Sequence, residues 1–169
     1  MDVTYQTWVG DGATGNGTLR VLAGGTLTTP FISPNENGEN TVEFSGGTVK
    51  ATDLTATNPF LNNLTNVLFG AGGVTIDAAG HDLTIANCTF KAAPGVTAIT
   101  FANGGMLTFT GTTLELAGKP SVPYVFAKAT GNGTFSGVPS LDVKGYSIRL
   151  SSDRRRVVVV RKGLTIIAR

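Results

Sequence analysis

Apolar and polar residues alternate in short runs along most of the chain, and glycines separate the runs. In VEFSGGTV, residues 42–49, Val42 and Phe44 fall on one side, Glu43 falls on the other, and Val49 resumes the apolar side after the glycines. Strand side chains alternate with a period of two, so each half of the segment is typical of a half-buried strand. The Gly-Gly pair permits positive φ where the chain turns. The segment therefore predicts a strand, a corner and a second strand.

The same unit occurs four times. The paired glycines stand at 24/25, 46/47, 72/73 and 104/105, within VLAGGTL, VEFSGGTV, VLFGAGGVTI and ITFANGGMLTF. Repeats of roughly 20 to 30 residues without helices are typical of stacked coils. We therefore expect an all-β chain folded as a right-handed parallel β-solenoid, or β-helix. An antiparallel β-sandwich, with Gly-Gly as the hairpin turn, is the alternative.

One segment, NPFLNNLTNVLF at 58–69, has apolar residues at spacings that also fit a short helix. It begins with Asn58-Pro59 and contains further asparagines, which are weak helix formers. We expect a loop there, with at most one helical turn.

The C-terminal segment has a different pattern. It predicts a strand at Tyr146–Leu150, a turn at Ser151–Arg154, a strand at Arg156–Arg161 and a last strand at Leu164–Ala168. The first two strands form an antiparallel hairpin. Because the end of a solenoid exposes unpaired strand edges, we expect this hairpin to cap the coils.

Composition supports this fold. The chain has 169 residues, enough for one domain with a sizeable core, and contains 25 threonines and 23 glycines. We expect residues 1–140 to form the coils and residues 141–169 the hairpin cap of the same domain. The single cysteine excludes an internal disulfide. No apolar run is long enough for a transmembrane helix, and the first residues lack the features of a signal peptide.

Charge is unevenly distributed. Residues 1–113 hold three basic and eight acidic residues, whereas residues 114–169 hold ten basic and three acidic ones. The densest cluster is Arg154-Arg155-Arg156. A basic end can meet an anionic surface such as a nucleic acid, lipopolysaccharide or an acidic glycan. We favour the alternative, a solvated hairpin tip kept soluble by its charge, and expect no nucleic-acid partner.

Potential catalytic groups cluster in VTIDAAGHDLTIANCTF, residues 74–90. The segment contains Asp77, His81, Asp82 and Cys88, including the only histidine and the only cysteine of the chain. We interpret it as a turn between two strands, because Asp and His are common at corners, where they bond to the backbone. A lone cysteine packs as a small apolar group, and one His and one Cys are too few for a zinc site.

Other polar and aromatic residues allow a glycan site. Paired carboxylates can act as acid and base, and the acidic candidates are Glu36, Glu39, Glu43, Asp53, Asp77, Asp82 and Glu115. Stacked coils would let Glu43 and Asp77 approach each other. Tyr5, Trp8 and Tyr124 could form a sugar platform or cover the core. We predict no catalytic residue, no metal ligand and no cofactor, and assign no binding residue.

The stretch GGVTIDAAGHDLTI resembles the unit of autotransporter-associated β-strand repeat proteins, in which GG-(L/V)-T-I-D precedes a small-residue turn and an apolar strand. TWVGDGATGNGT and the C-terminal segment from GTFSGVPSL onward are also similar to parts of such proteins. The resemblance implies a passenger-type right-handed β-helix, secreted by a bacterium and displayed on or released from its surface. It implies no catalytic residues.

These observations lead to one functional expectation and one alternative. We expect a non-enzymatic structural or adhesive module of a bacterial extracellular or cell-surface protein, with surface glycans or host and cell-surface components as partners. The alternative is a carbohydrate-binding or carbohydrate-cleaving β-helix. The oligomeric state stays open.

Overall fold

The computed structural model describes residues 7–10, 15–35, 39–52 and 59–163, and every regular element within these ranges is a β-strand. The strands form three sheets, and each coil of the chain contributes one strand to each sheet in turn. Sheet 1 contains β1 (Thr7–Val9), β4 (Ile32–Pro34), β7 (Leu61–Asn62), β10 (Leu83–Ala86), β13 (Met106–Thr110) and β16 (Thr134–Ser136).

Sheets 2 and 3 follow in the same spatial order. Sheet 2 contains β2 (Thr18–Leu22), β5 (Thr41–Ser45), β8 (Val67–Phe69), β11 (Thr89–Ala92), β14 (Thr113–Leu116) and β17 (Ser140–Leu141). Sheet 3 contains β3 (Thr26–Thr28), β6 (Gly47–Lys50), β9 (Val74–Asp77), β12 (Ile99–Ala102), β15 (Tyr124–Ala129), β19 (Arg156–Arg161) and β18 (Tyr146–Leu150).

Strands of successive coils pair in parallel, for example β10 with β13 and β6 with β9. Antiparallel pairing between named strands is confined, in the described residues, to β19 with β15 and β18 with β19. The predicted all-β parallel solenoid with a C-terminal antiparallel hairpin is confirmed, and the sandwich alternative is wrong.

The core lies inside the coils, where inward side chains stack on their counterparts one coil away. In sheet 2, Val42, Val67, Phe90 and Leu114 occupy one such column, and all four are buried. Phenylalanine rings from neighbouring columns meet edge to face, as Phe69 and Phe90 do at 5.2 Å between centroids. Each fully buried apolar side chain of this size contributes about 1.5–3 kcal/mol. The buried cluster extends without a break from Val9 to Val159.

The glycine pairs lie at two different corners. Pairs 24/25, 46/47 and 72/73 separate sheet 2 from sheet 3, whereas pair 104/105 separates sheet 3 from sheet 1. Stacked corners approach closely, since a Cβ on Gly72 would lie 2.6 Å from the Cα of Gly46. Each of the four pairs lies at a corner between two strands, as predicted, but the fourth lies at a different corner, so the four pairs do not mark one structural repeat. Glycine recurs at both corners because it accepts positive φ and close contact between coils.

The segment 58–69 is not a loop with a helical turn, because residues 59–69 contain β7 and β8. Leu61, Leu64 and Val67 are all buried, so their spacing follows the inner wall of a coil and not a helix face. Asn63 makes the corner with φ of 53° and accepts a hydrogen bond of 3.1 Å from the side chain of Asn87, one coil further on. Asparagine tolerates this left-handed backbone and therefore suits the corner.

The hairpin strands have the predicted bounds, and β19 adds to the edge of sheet 3 with Val157 and Val159 fully buried. Its tip also reaches sheet 1. The Phe135 amide donates to the Arg154 carbonyl at 2.8 Å, and Arg154 Nε donates to the Phe135 carbonyl at 3.1 Å. The hairpin thus closes the coils at two sheets. The last predicted strand, Leu164–Ala168, lies outside the described residues.

Candidate binding faces

The corner from Asp77 to Asp82 is a turn between β9 and β10, as predicted. Asp77 Oδ1 accepts a 3.0 Å hydrogen bond from the Ala79 amide, and Asp82 Oδ1 accepts one of 2.7 Å from the Met106 amide in the next coil. The His81 amide donates to the Ala78 carbonyl at 2.9 Å. Each carboxylate therefore holds a backbone amide in place by a hydrogen bond, which is the ordinary role of such residues at turns.

Cys88 faces the core between β10 and β11 and is 1% exposed. Its Sγ lies 3.3 Å from the Ala86 carbonyl oxygen. Burial raises the pKa of the thiol to about 12, against the weaker opposing effect of the Leu64 backbone. Because the thiolate is the reactive form, this cysteine packs as an apolar side chain and is chemically inert in the folded protein.

The structure does not bring Glu43 and Asp77 together. Glu43 lies on sheet 2 beside Arg20, with 2.8 Å between Arg20 Nε and Glu43 Oε2. Asp77 lies on sheet 3, where its neighbour one coil earlier is Lys50. Stacking pairs residues of the same sheet, so the approach of Glu43 to Asp77 that stacked coils could have allowed does not occur. Glu36 and Asp53 lie outside the described residues.

Sheet 2 carries a charged column on its outer face. The column holds one residue per coil, in the order Arg20, Glu43, Leu68, Lys91 and Glu115. Its charges are arranged in opposite pairs, Arg20 with Glu43 and Lys91 with Glu115, the latter 4.0 Å apart.

Two shallow depressions flank Lys91. One, of about 330 Å³, is lined by Leu68, Lys91, Glu115 and neighbouring alanines. The other, of about 300 Å³, is lined by Glu39, Asn40, Asn66 and Lys91 with two threonines. Each depression contains a single carboxylate.

A hydroxyl and amide column runs beside the charged one. It contains Thr18, Thr41, Asn66, Thr89, Thr113 and Ser140. Several members bond to one another. The Asn66 amide donates to Thr41 Oγ1 at 2.6 Å, and the hydroxyls of Thr113 and Ser140 are 3.0 Å apart. Several polar side chains on the outer face of sheet 2 therefore have their hydrogen-bond partners on the same face.

Sheet 3 carries a second column, which we call the threonine–cation row. It contains Thr26, Thr48, Thr75, Thr100, Lys128 and Arg156, each paired in register with the next. The hydroxyls of Thr48, Thr75 and Thr100 form no hydrogen bond with the rest of the described chain. The Lys128 and Arg156 side chains form no ion pair there either. Sequence reasoning missed this row, because only the strand register places its members in line.

The aromatic candidates do not share a surface. Trp8 lies on β1 in the first coil, is 48% exposed and meets Phe31 edge-on at 5.9 Å. Tyr124 lies on β15 in the fifth coil, and burial raises its pKa to about 12. Tyr5 is outside the described residues. Trp8 and Tyr124 therefore cannot form one sugar platform.

The arginine tip is only partly solvated. The Arg154 side chain donates to the Phe135 carbonyl and that of Arg155 to the Gly131 carbonyl, so both tie the hairpin to the last coil. Arg156 instead points out from sheet 3. The hydrogen bond from Ser151 and that from the Arg155 amide, with weaker attraction from Arg156 and Arg155, lower the pKa of Asp153.

Among the described residues no group of three or more His, Cys, Asp or Glu side chains could hold a metal ion. The described part also contains no helix able to cross a membrane. Comparison of the chain with protein-family models, with curated proteins and with solved structures finds no match. The outer faces of the solenoid are therefore the features that bear on function.

Proposed function

We propose that the chain is a non-enzymatic structural or adhesive module of a bacterial extracellular or cell-surface protein. The observation that carries the proposal is the arrangement of the outer faces, where polar side chains form columns along the solenoid and do not converge on a cleft. Flat repeated columns suit the binding of an extended or repetitive partner, since solenoid proteins commonly bind through such extended surfaces.

The carboxylates support a non-enzymatic role. Glycosidases hold two carboxyl groups about 5 to 9.5 Å apart. Glu43 and Glu115 share a column but are three strands apart, which corresponds to roughly 14 Å at the usual strand spacing. Both are also paired with a cation. This separation is too great for an acid–base pair acting on one glycosidic bond.

Carbohydrate cleavage at sheet 2 is the second candidate, and the depressions beside Lys91 favour it. Lys91 could hold the carboxylate of an acidic sugar while Glu115 or Glu39 took the proton from the adjacent ring carbon; a C=C bond would then form in the sugar as the glycosidic oxygen left. The two carboxylates lie in different depressions, which weakens this candidate against the first.

One experiment separates the two. The purified chain is incubated with a panel of neutral and acidic polysaccharides and with intact cells, and retention and newly formed reducing ends are measured together. We expect retention without product for at least one polysaccharide. Product formation that disappears in Glu115→Gln and persists in the matched variant Glu43→Gln would establish the enzymatic alternative. Absence of retention on every polysaccharide and on cell surfaces would contradict the adhesive role.

A further inference from the structure

We propose that the threonine–cation row of sheet 3 binds a linear acidic polysaccharide, with the polymer running along the solenoid axis. This inference rests on the proposed adhesive function and names its partner and its face.

The row is long and straight enough for a polymer. Its six residues lie on six neighbouring strands, β3, β6, β9, β12, β15 and β19. At the usual strand spacing it is roughly 24 Å long. One hydroxyl or cation therefore recurs at each coil, which matches a chain of repeating sugar units better than a compact ligand.

Three of the four hydroxyls of the row are available to a ligand. Thr48, Thr75 and Thr100 are half-buried, and their Oγ1 atoms form no hydrogen bond with the described chain. In sheet 2 the corresponding groups bond to each other, as Asn66 and Thr41 do. A hydroxyl both donates and accepts, which suits the hydroxyl-rich surface of a sugar.

The cations at the end of the row select a negative partner. Lys128 and Arg156 lie directly opposite each other across β15 and β19, and both are exposed. Like charges in directly opposite positions repel, so a bound anion relieves an unfavourable contact. Arg149 is a third exposed cation on this face. It lies opposite Val158, which is two residues from Arg156 and therefore on the same side of β19.

The negative groups nearby do not cancel this charge. Asp77 lies two residues from Thr75, but its carboxylate accepts the Ala79 amide and its strand neighbour is Lys50. Asp153 is at the hairpin tip, where it bonds to Ser151 and the Arg155 amide and also feels the charge of Arg156.

The structure favours a polysaccharide over a nucleic acid. An isolated two-stranded ribbon can enter the major groove of DNA. Here β18 and β19 form the edge of a seven-stranded sheet, so the ribbon is not free to enter. No aromatic residue belongs to the row, so base stacking has no platform there.

The test uses polygalacturonate as the carboxylated probe, heparin as the sulfated probe, dextran as the neutral control and duplex DNA as the competing class. Binding is measured for the full chain and for three variants. Lys128→Gln/Arg156→Gln removes the cations, and Thr48→Val/Thr75→Val/Thr100→Val removes the hydroxyls at nearly constant shape. Lys144→Gln/Lys162→Gln removes the same charge from exposed positions at the opposite end of the hairpin.

We expect one or both acidic polysaccharides to bind and dextran to bind weakly or not at all. The Kd should rise about tenfold in the double cation variant, because the contacts of Lys128 and Arg156 with the polymer are lost. It should rise less than about threefold in the charge-matched control, which keeps both contacts. The valine variant should weaken binding several-fold, and binding by the double cation variant should depend less steeply on salt.

Three results would overturn the inference. The first is that neither acidic polysaccharide binds. The second is that the control variant loses as much affinity as the double cation variant. The third is that duplex DNA binds more tightly than the polysaccharides through the same residues. If the chain is retained on neutral glycans or cells and the row variants keep full retention, the row fails while the adhesive function stands. If retention fails on every surface, the proposed adhesive role itself fails.

Discussion

The outer faces of sheets 2 and 3 are built by the same coils and differ in how their polar side chains are used. On sheet 2, Arg20 pairs with Glu43, and Asn66 donates to Thr41. On sheet 3, Lys128 faces Arg156, and the hydroxyls of Thr48, Thr75 and Thr100 form no hydrogen bond with the described part of the chain. The polar groups of a solenoid column can therefore either bond to one another or have no partner in the described chain. The choice depends on which residues the register stacks, not on the fold.

The largest expected effect concerns the end of sheet 3. Deleting residues 145–169 removes β18 and β19 and uncovers the edge of β15 together with the core around Val157 and Val159. Exposed strand edges promote aggregation. We expect the truncated chain to aggregate in size-exclusion chromatography, and a monomeric, cooperatively folded product would show that the hairpin is an appendage.

Point variants test the same interface without truncation. Val157→Ala removes two methyl groups from a fully buried site and should lower the free energy of unfolding by about 2 kcal/mol. Val158 is half-buried and points outward, so Val158→Ala should cost less than about 1 kcal/mol. Urea unfolding measures both. Equal losses would mean that the hairpin does not seal the core as described.

The corner that joins sheet 2 to sheet 3 offers the next test. Gly24 and Gly73 both have positive φ, 77° and 56°. A Cβ on Gly24 meets nothing within 4 Å, whereas one on Gly73 would overlap the Thr97 and Ala98 carbonyls of the next coil. Gly24→Ala should cost about 1–2 kcal/mol from backbone strain alone. Gly73→Ala should cost distinctly more, about 3 kcal/mol or above, because the backbone of the next coil must move.

Chemical denaturation of the two glycine variants checks this difference. A Gly73→Ala protein as stable as Gly24→Ala would contradict the close stacking of the coils at this corner. The slope of unfolding against denaturant should stay constant in both, because neither substitution changes the area exposed on unfolding.

The threonine columns predict a smaller difference. Thr41→Val on sheet 2 removes the acceptor of the 2.6 Å bond from Asn66 and should cost about 0.5–1.5 kcal/mol. Thr75→Val on sheet 3 removes a hydroxyl that has no hydrogen-bond partner among the described residues, so we expect a change within about 0.5 kcal/mol. Thermal unfolding of the Thr41→Val and Thr75→Val variants measures both changes in stability. A Thr75→Val loss as large as that of Thr41→Val would mean that the sheet 3 hydroxyl is already engaged.

The smallest effect concerns charge. Arg20→Gln breaks an exposed ion pair and should lower the free energy of unfolding by about 0.2–1 kcal/mol. Lys128→Gln relieves the repulsion from Arg156 and should raise it by a few tenths of a kcal/mol. Both effects should shrink as salt is added. A destabilising Lys128→Gln would show that this lysine has a partner within the protein.

The strands and turns of this fold were predictable from the sequence, whereas which side chains lie together on one outer face of a sheet was not. The hairpin strands Tyr146–Leu150 and Arg156–Arg161 follow from alternation and turn residues that lie side by side in sequence. The turn around His81 follows in the same way. The position of Glu43 relative to Asp77 does not, because residues stacked one coil apart are separated by anything from 22 positions, as Leu27 and Val49 are, to 29, as Ile32 and Leu61 are.

The same reason explains why the threonine–cation row could not be found in the sequence. Thr48, Thr75 and Thr100 look like any other threonine on the outer side of a strand, and Lys128 like any exposed lysine. Only the register, set by loops of unequal length, aligns them with Arg156 of the returning hairpin. Such alignment depends on long-range pairing, which a periodic pattern alone does not determine.

The most direct test of the central claim is an NMR titration of the 17.4 kDa chain, labelled with ¹⁵N, against short oligogalacturonates. We predict that amide chemical shifts change along the row, at Thr48, Thr75, Thr100, Lys128 and Arg156, while the amide shifts of Glu43 and Lys91 on sheet 2 stay constant. Shifts centred on Lys91, or an absence of shifts along sheet 3 at saturating ligand, would contradict it.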